Sequence, residues 1–157
     1  MALAFSAETY KKFEEIIARY PRKEAAMLPV LYLAQREFGH IGPAAIDYVA
    51  QLMQQSPARV YGVVSFYTMF NMKPIGRHHI QVCRTLPCAL GGAEKVTSFL
   101  KKTLGIDCGQ TTPDGRFTLS EVECLASCGT APMMQINDDY YESLSEEKIT
   151  EILASLK

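Results

Sequence analysis

Four cysteines stand out by their spacing. Cys83 and Cys88 lie in IQVCRTLPCAL and Cys124 and Cys128 in VECLASCGTAP, each pair directly after a run that alternates apolar and polar residues as a β-strand does. Thiols so arranged can pair as disulfides, hold zinc, hold an iron–sulfur cluster or act as a redox couple. Five cysteines in 157 residues are too few, and odd in number, for a disulfide scaffold. The opening segment, MALAFSAETYKKFEEII, lacks a basic region followed by an apolar run and a cleavage site. It reads as a mature intracellular start, which puts the thiols in a reducing compartment. A thioredoxin-type couple would use C-x-x-C, a spacing this sequence does not contain. Structural zinc favours that same tight spacing but tolerates up to about four intervening residues. A [2Fe-2S] cluster needs four thiolates around a rhomb wider than one ion, with backbone N–H groups near its sulfurs.

The residues between the cysteines favour iron–sulfur over zinc, and zinc over thiol–disulfide exchange. After Leu125 the stretch LASCGTA is small throughout, so main chain can approach bulky sulfides, and Gly129 is expected at a positive φ that turns its N–H inward. Pro87 stiffens the loop ahead of Cys88, and Gly91 and Gly92 open a helix whose first N–H groups suit an anion. Arg84 and Thr85 read either as hydrogen-bond donors to a cluster or as exposed loop residues. Cys108, between Asp107 and Gly109, falls outside the pattern and reads as a free thiol. His78 and His79 could suggest a Rieske centre, but all four cysteines are present, so both histidines are expected in a linker or at the surface.

The elements that must position these thiols alternate in the second half of the chain. HIQVC is a short strand; GGAEKVTSFLKKTLG is a helix presenting Ala93, Val96, Phe99, Leu100 and Leu104 to a sheet; and a second strand carries Phe117, Leu119 and Val122. PMMQINDDYYE reads as a hairpin turning at Asn137 to Asp139, and a last helix begins after Ser145 and buries Ile149, Ile152, Leu153 and Leu156. A strand, a crossover helix and a second strand imply a parallel pair whose ends share one sheet edge. The four cysteines can therefore converge.

The first 70 residues read as four helices. The first is capped by Ser6 and ended by Pro21, the second spans AMLPVLYLAQREFG, and the third is opened by Pro43. The fourth, ARVYGVVSFYTMF after Ser56 and Pro57, is apolar nearly all round, so it must be buried by neighbours or by another protein. Tyr61, Phe66, Tyr67 and Phe70 are expected to divide between core and docking face. Proline and glycine in NMKPIGRHH place a boundary near Ile75, giving a helical domain of residues 1–75 and a second domain of residues 76–157.

Composition narrows the partners. A net charge of −1 and a pI near 6.3 leave no basic footprint, so nucleic acid is not an expected partner. No run approaches the roughly 20 apolar residues of a membrane-spanning helix, so direct membrane insertion is not expected. GRHH and GGAEK lack the full dinucleotide fingerprint after a strand, so no nucleotide site is assigned to this chain.

The pattern C-x4-C-x35-C-x3-C, with QVCRTLPCALGGAE and FTLSEVECLASCGTAPMMQINDDYYE, resembles the 24 kDa [2Fe-2S] subunit family of NADH:quinone oxidoreductase, respiratory complex I. LPVLYLAQREFG and VYGVVSFYTMF resemble the helical part of that family, so the likeness covers nearly the whole chain. The resemblance implies an α+β architecture: an N-terminal helical bundle, which docks a partner, followed by a thioredoxin-like α/β ferredoxin domain with a mixed four-stranded sheet. It implies Cys83, Cys88, Cys124 and Cys128 as ligands of one [2Fe-2S] cluster, with no catalytic residue of the chain's own. FMN and NADH would lie on a partner flavoprotein that exchanges single electrons with the cluster. The implied location is the bacterial cytoplasm, peripheral to the inner membrane within a larger complex. Related subunits serve NAD-linked hydrogenases and formate dehydrogenases, and a zinc-bound structural module is the alternative from another class.

Overall fold

Helix signals in the first half act where the sequence places them, with shorter reach at two ends. A computed structural model describes residues 3–156; Met1 and Ala2, which open the N-terminal segment read above, and Lys157 lie outside the described residues. Helix α1 spans Ala7–Ile17, with Ser6 Oγ accepting from the Thr9 N–H at 3.3 Å. It stops three residues before the Tyr20 that periodicity includes, because Ala18 already closes the last turn onto Glu14 and Ile16. Helix α2 spans Met27–Phe38 and ends on Gly39 at φ +79°, whose N–H returns to the Gln35 carbonyl at 2.8 Å. Helices α3, Pro43–Met53, and α4, Pro57–Phe66, both begin on proline. Helix α4 ends four residues short of Phe70, since Tyr67 turns extended. These helices bury Phe13, Leu31, Val49, Met53, Val60, Val64 and Phe70 in one core.

The chain divides into two compact units, Met1–Pro74 and Ile75–Lys157. In the second, β1 (His78–Cys83), a short helix α5 (Leu86–Leu90), helix α6 (Ala93–Leu104) and β2 (Phe117–Val122) precede the hairpin of β3 (Met134–Ile136) and β4 (Asp139–Tyr141), and helix α7 (Glu146–Ser155) closes the unit. The sheet order is β2-β1-β3-β4, with β1 and β2 parallel and the other pairs antiparallel. Ile80, Val82, Leu119, Met134 and Ile136 share a core with Val96 and Leu100 of α6 and Ile149 and Ile152 of α7. Fully burying each such side chain is worth about 1.5–3 kcal/mol, and this core fixes the plane from which the cysteine loops depart.

The opposite strand positions carry His79, Gln81, Thr118, Ser120 and Gln135. His79 is not the surface histidine the sequence suggests: it is buried, with Nε2 2.9 Å from Ser120 Oγ and its N–H donating to Asn137 Oδ1 at 2.9 Å. Burial pushes its imidazole below the ordinary histidine value.

Candidate metal centre

Parallel pairing brings the two cysteine loops to one edge. Cys83, the last residue of β1, is in register with Val122, the last of β2, so the segments holding Cys88 and Cys124 leave the sheet side by side. Cys88 sits on α5 rather than in a loop, since Pro87 occupies a first-turn position where its missing N–H costs nothing. Thr85, at the cap position, makes no side-chain cap bond; its hydroxyl lies 3.3 Å from Cys83 Sγ instead. This settles Thr85 as a neighbour of the thiol, whereas the Arg84 side chain is exposed and paired with Glu123.

The second segment is braced by the hairpin. Tyr140 Oη donates to the Leu125 carbonyl at 2.9 Å, and the hydroxyls of Ser127 and Thr130 both donate to Glu142 Oε1, the latter at 2.7 Å. Ser143 N–H reaches the Thr130 carbonyl at 2.7 Å. The positive φ expected at Gly129 belongs to Ala126, at +62°, and turns the Ala126 N–H onto Cys124 Sγ at 3.3 Å. The close approach is made by Gly91. A Cβ there would stand 3.1 Å from Pro132 N and 3.2 Å from Ala131 C, so this glycine lets the end of α5 press against the second cysteine segment.

Cys83 and Cys88 are buried, and Cys124 and Cys128 are exposed. Burial pushes the Cys83 thiol up, but the Thr85 hydroxyl, the backbone N–H groups of Leu125 and Thr85 and a bond with Cys88 together bring it below the ordinary thiol value. Burial also raises Cys88, and the hydrogen bond to Cys83 and the charges of Cys83 and Cys128 raise it further, against one backbone N–H from Met133. Desolvation raises Cys128, followed by the charge and hydrogen bond of Cys124 and the charge of Cys83. The N–H of Leu125, from the second segment, thus serves a sulfur of the first. Cys108 stands apart on the Asp107 turn after α6, raised by burial and then by the charge of Glu121.

Among the described residues no three His, Cys, Asp or Glu side chains surround a single metal position. The thiols stand as Cys83 with Cys88 and Cys124 with Cys128, each pair close enough to shift its partner's ionisation, and the charge of Cys83 and Cys128 is felt between pairs. All five cysteines are free. Four thiols at one sheet edge, with backbone N–H groups near Cys83, Cys88 and Cys124, are a donor set that fits a two-iron core.

The class of protein follows from this fold and site together: residues 13–157 match the thioredoxin-like [2Fe-2S] ferredoxins, and the chain belongs to that family. It is 47% identical over 156 residues to the E subunit of the NADH-quinone oxidoreductase of Rickettsia conorii, an alignment covering 98% of this chain and 93% of that one. It is 46% identical to the mitochondrial NADH dehydrogenase [ubiquinone] flavoprotein 2 of Dictyostelium discoideum, across 98% of this chain and 63% of that protein. In fold it resembles a chain of an NAD+-reducing [NiFe]-hydrogenase in the air-oxidized state, with a TM-score of 0.73 and 21% identity; 83% of this chain is covered and 22% of the hydrogenase chain. No helix among the described residues is long and apolar enough to cross a membrane.

Proposed function

We propose that this chain is the electron-transfer subunit of the NADH dehydrogenase module of an NADH:quinone oxidoreductase, holding one [2Fe-2S] cluster on Cys83, Cys88, Cys124 and Cys128. The observation that carries the reading is the placement of two thiol pairs on adjacent segments leaving one edge of a parallel strand pair. Near full-length identity to E subunits of NADH-quinone oxidoreductase favours this complex over a hydrogenase or formate dehydrogenase. A cluster bound there would supply reversible one-electron chemistry at low potential, since reduction adds negative charge to an anionic site. The chain's own work is to hold the four thiolates, aim the N–H groups of Leu125, Met133 and Ala126 at sulfur, and keep Cys83 and Cys88 from solvent. The electron is exchanged with FMN on a partner flavoprotein that also binds NADH. The helical unit, which ends at Pro74, docks that partner through the Tyr61 to Phe70 segment, and the assembly is peripheral to the cytoplasmic face of the inner membrane.

Metal and sulfide analysis of the isolated full chain tests the reading. Two iron and two acid-labile sulfide per chain are expected, with red-brown colour that bleaches on dithionite and an S = 1/2 signal only after reduction. A colourless protein with one zinc and no sulfide would overturn it.

A further inference from the structure

The strand register ends at Cys83 and Val122, and the next residue on each side, Arg84 and Glu123, is joined to the other by its side chain. Each is one residue from a proposed ligand. The Arg84 N–H extends the ladder to the Val122 carbonyl at 3.1 Å, and the guanidinium then crosses to Glu123 Oε1, with Nε at 3.0 Å and Nη2 at 2.6 Å. Both side chains are largely exposed, at 58% and 68%. An ion pair so open to water adds little to folding, so the stability of the domain does not account for it. Its position does something else: it ties the two ligand segments where they leave the sheet, and it sets a positive charge beside Cys83 and a negative one beside Cys124.

We propose that Arg84 and Glu123 form a clasp that keeps the two ligand segments closed on the cluster and, by pairing opposed charges, keeps either one from shifting the potential at which the site takes an electron. This inference rests on the cluster reading above. One-electron reduction adds one unit of negative charge at the site, so the Arg84 cation favours reduction and the Glu123 carboxylate opposes it. While the pair is intact the two contributions largely cancel. Removing either partner exposes the charge of the other.

The test uses the full chain with its cluster, dithionite as reductant, and potentiometry followed by the S = 1/2 signal. Arg84→Gln should lower the midpoint and Glu123→Gln should raise it. The double variant should return close to wild type, as should Arg84→Lys, which keeps the charge. Each neutral single variant should lose visible absorption to an iron chelator about two- to fourfold faster, and about 1 M salt should bring the wild-type rate towards theirs. Midpoints that stay put, or that move the same way in both single variants, would overturn the clasp, as would failure of Arg84→Lys to restore midpoint and retention. Zinc without sulfide in the wild-type chain is a separate outcome: it removes the cluster reading itself, whereas a loaded wild type with unmoved midpoints removes only the clasp.

Discussion

At the scale of single residues, the five cysteines are not equivalent, and their surroundings say how each should respond to replacement. Cys88→Ala and Cys124→Ala each remove one thiol from one of the two pairs, so both variants should lose iron and sulfide, as read by metal analysis and the visible spectrum. Cys108→Ala, beyond the reach of the paired thiols, should leave that spectrum unchanged; bleaching in this variant alone would show the ligand set to be misassigned. His79 gives a pH signature. Its folded pKa is depressed by burial, so the unfolded chain binds the proton more readily. The associated stability is complete above the unfolded value of about 6.5 and drains away as pH falls through the lower folded value. Thermal unfolding between about pH 8 and pH 5 should therefore show a steeper acid decline for wild type than for His79→Gln.

At the scale of elements, the parallel β1–β2 unit was legible because a strand, a crossover helix and a strand admit one handed solution, and the convergence of the cysteine segments follows from it. Helix α5 was also within reach, since a threonine two residues before a proline is a helix-start signal inside RTLPC. The brace from Tyr140 and Glu142 was not: those side chains meet residues 12 to 15 positions away, a matter of hairpin register rather than local propensity. The glycines show the same limit. Gly129 was marked for backbone freedom, yet a Cβ there meets nothing within 4 Å, while Gly91 is the crowded one. Gly91→Ala should push α5 from the Ala131–Pro132 segment, costing about 1–3 kcal/mol by thermal unfolding and speeding cluster loss. Gly129→Ala should match wild type in both measurements.

At the scale of the whole molecule, two units with separate cores imply separable tasks. The cut belongs before Ile75, because the Gly76 N–H donates to Thr118 Oγ1 at 2.6 Å and the Arg77 N–H to the Gly115 carbonyl at 3.0 Å. Residues 75–157 alone should keep the chromophore and lose the flavoprotein, as judged by co-purification, and Phe66→Asp in the full chain should weaken the complex with the spectrum intact. A ferredoxin unit that binds the flavoprotein as tightly as the full chain does would place docking in the wrong half. The division of the aromatic run was legible only as a total, too many large side chains for a small bundle; the structure apportions it. Val60, Val64 and Phe70 go inward, while Tyr61, Tyr67 and above all Phe66, at 76% exposure, stay outside.

That outer aromatic surface bears on how the chain fares before it is assembled. Phe66 stacks edge-on with Tyr67, Tyr67 and Tyr32 both pack on the buried Phe70 ring, and the Tyr32 hydroxyl points to Met69 sulfur, so Phe66, Tyr67, Tyr32 and Met69 leave apolar surface open around one core ring. Surface of that kind is what chaperones hold and proteases sample. Copies made in excess of their partner should be short-lived in the cell, and matched synthesis of the two chains, more than their affinity, should then set how much of this protein accumulates.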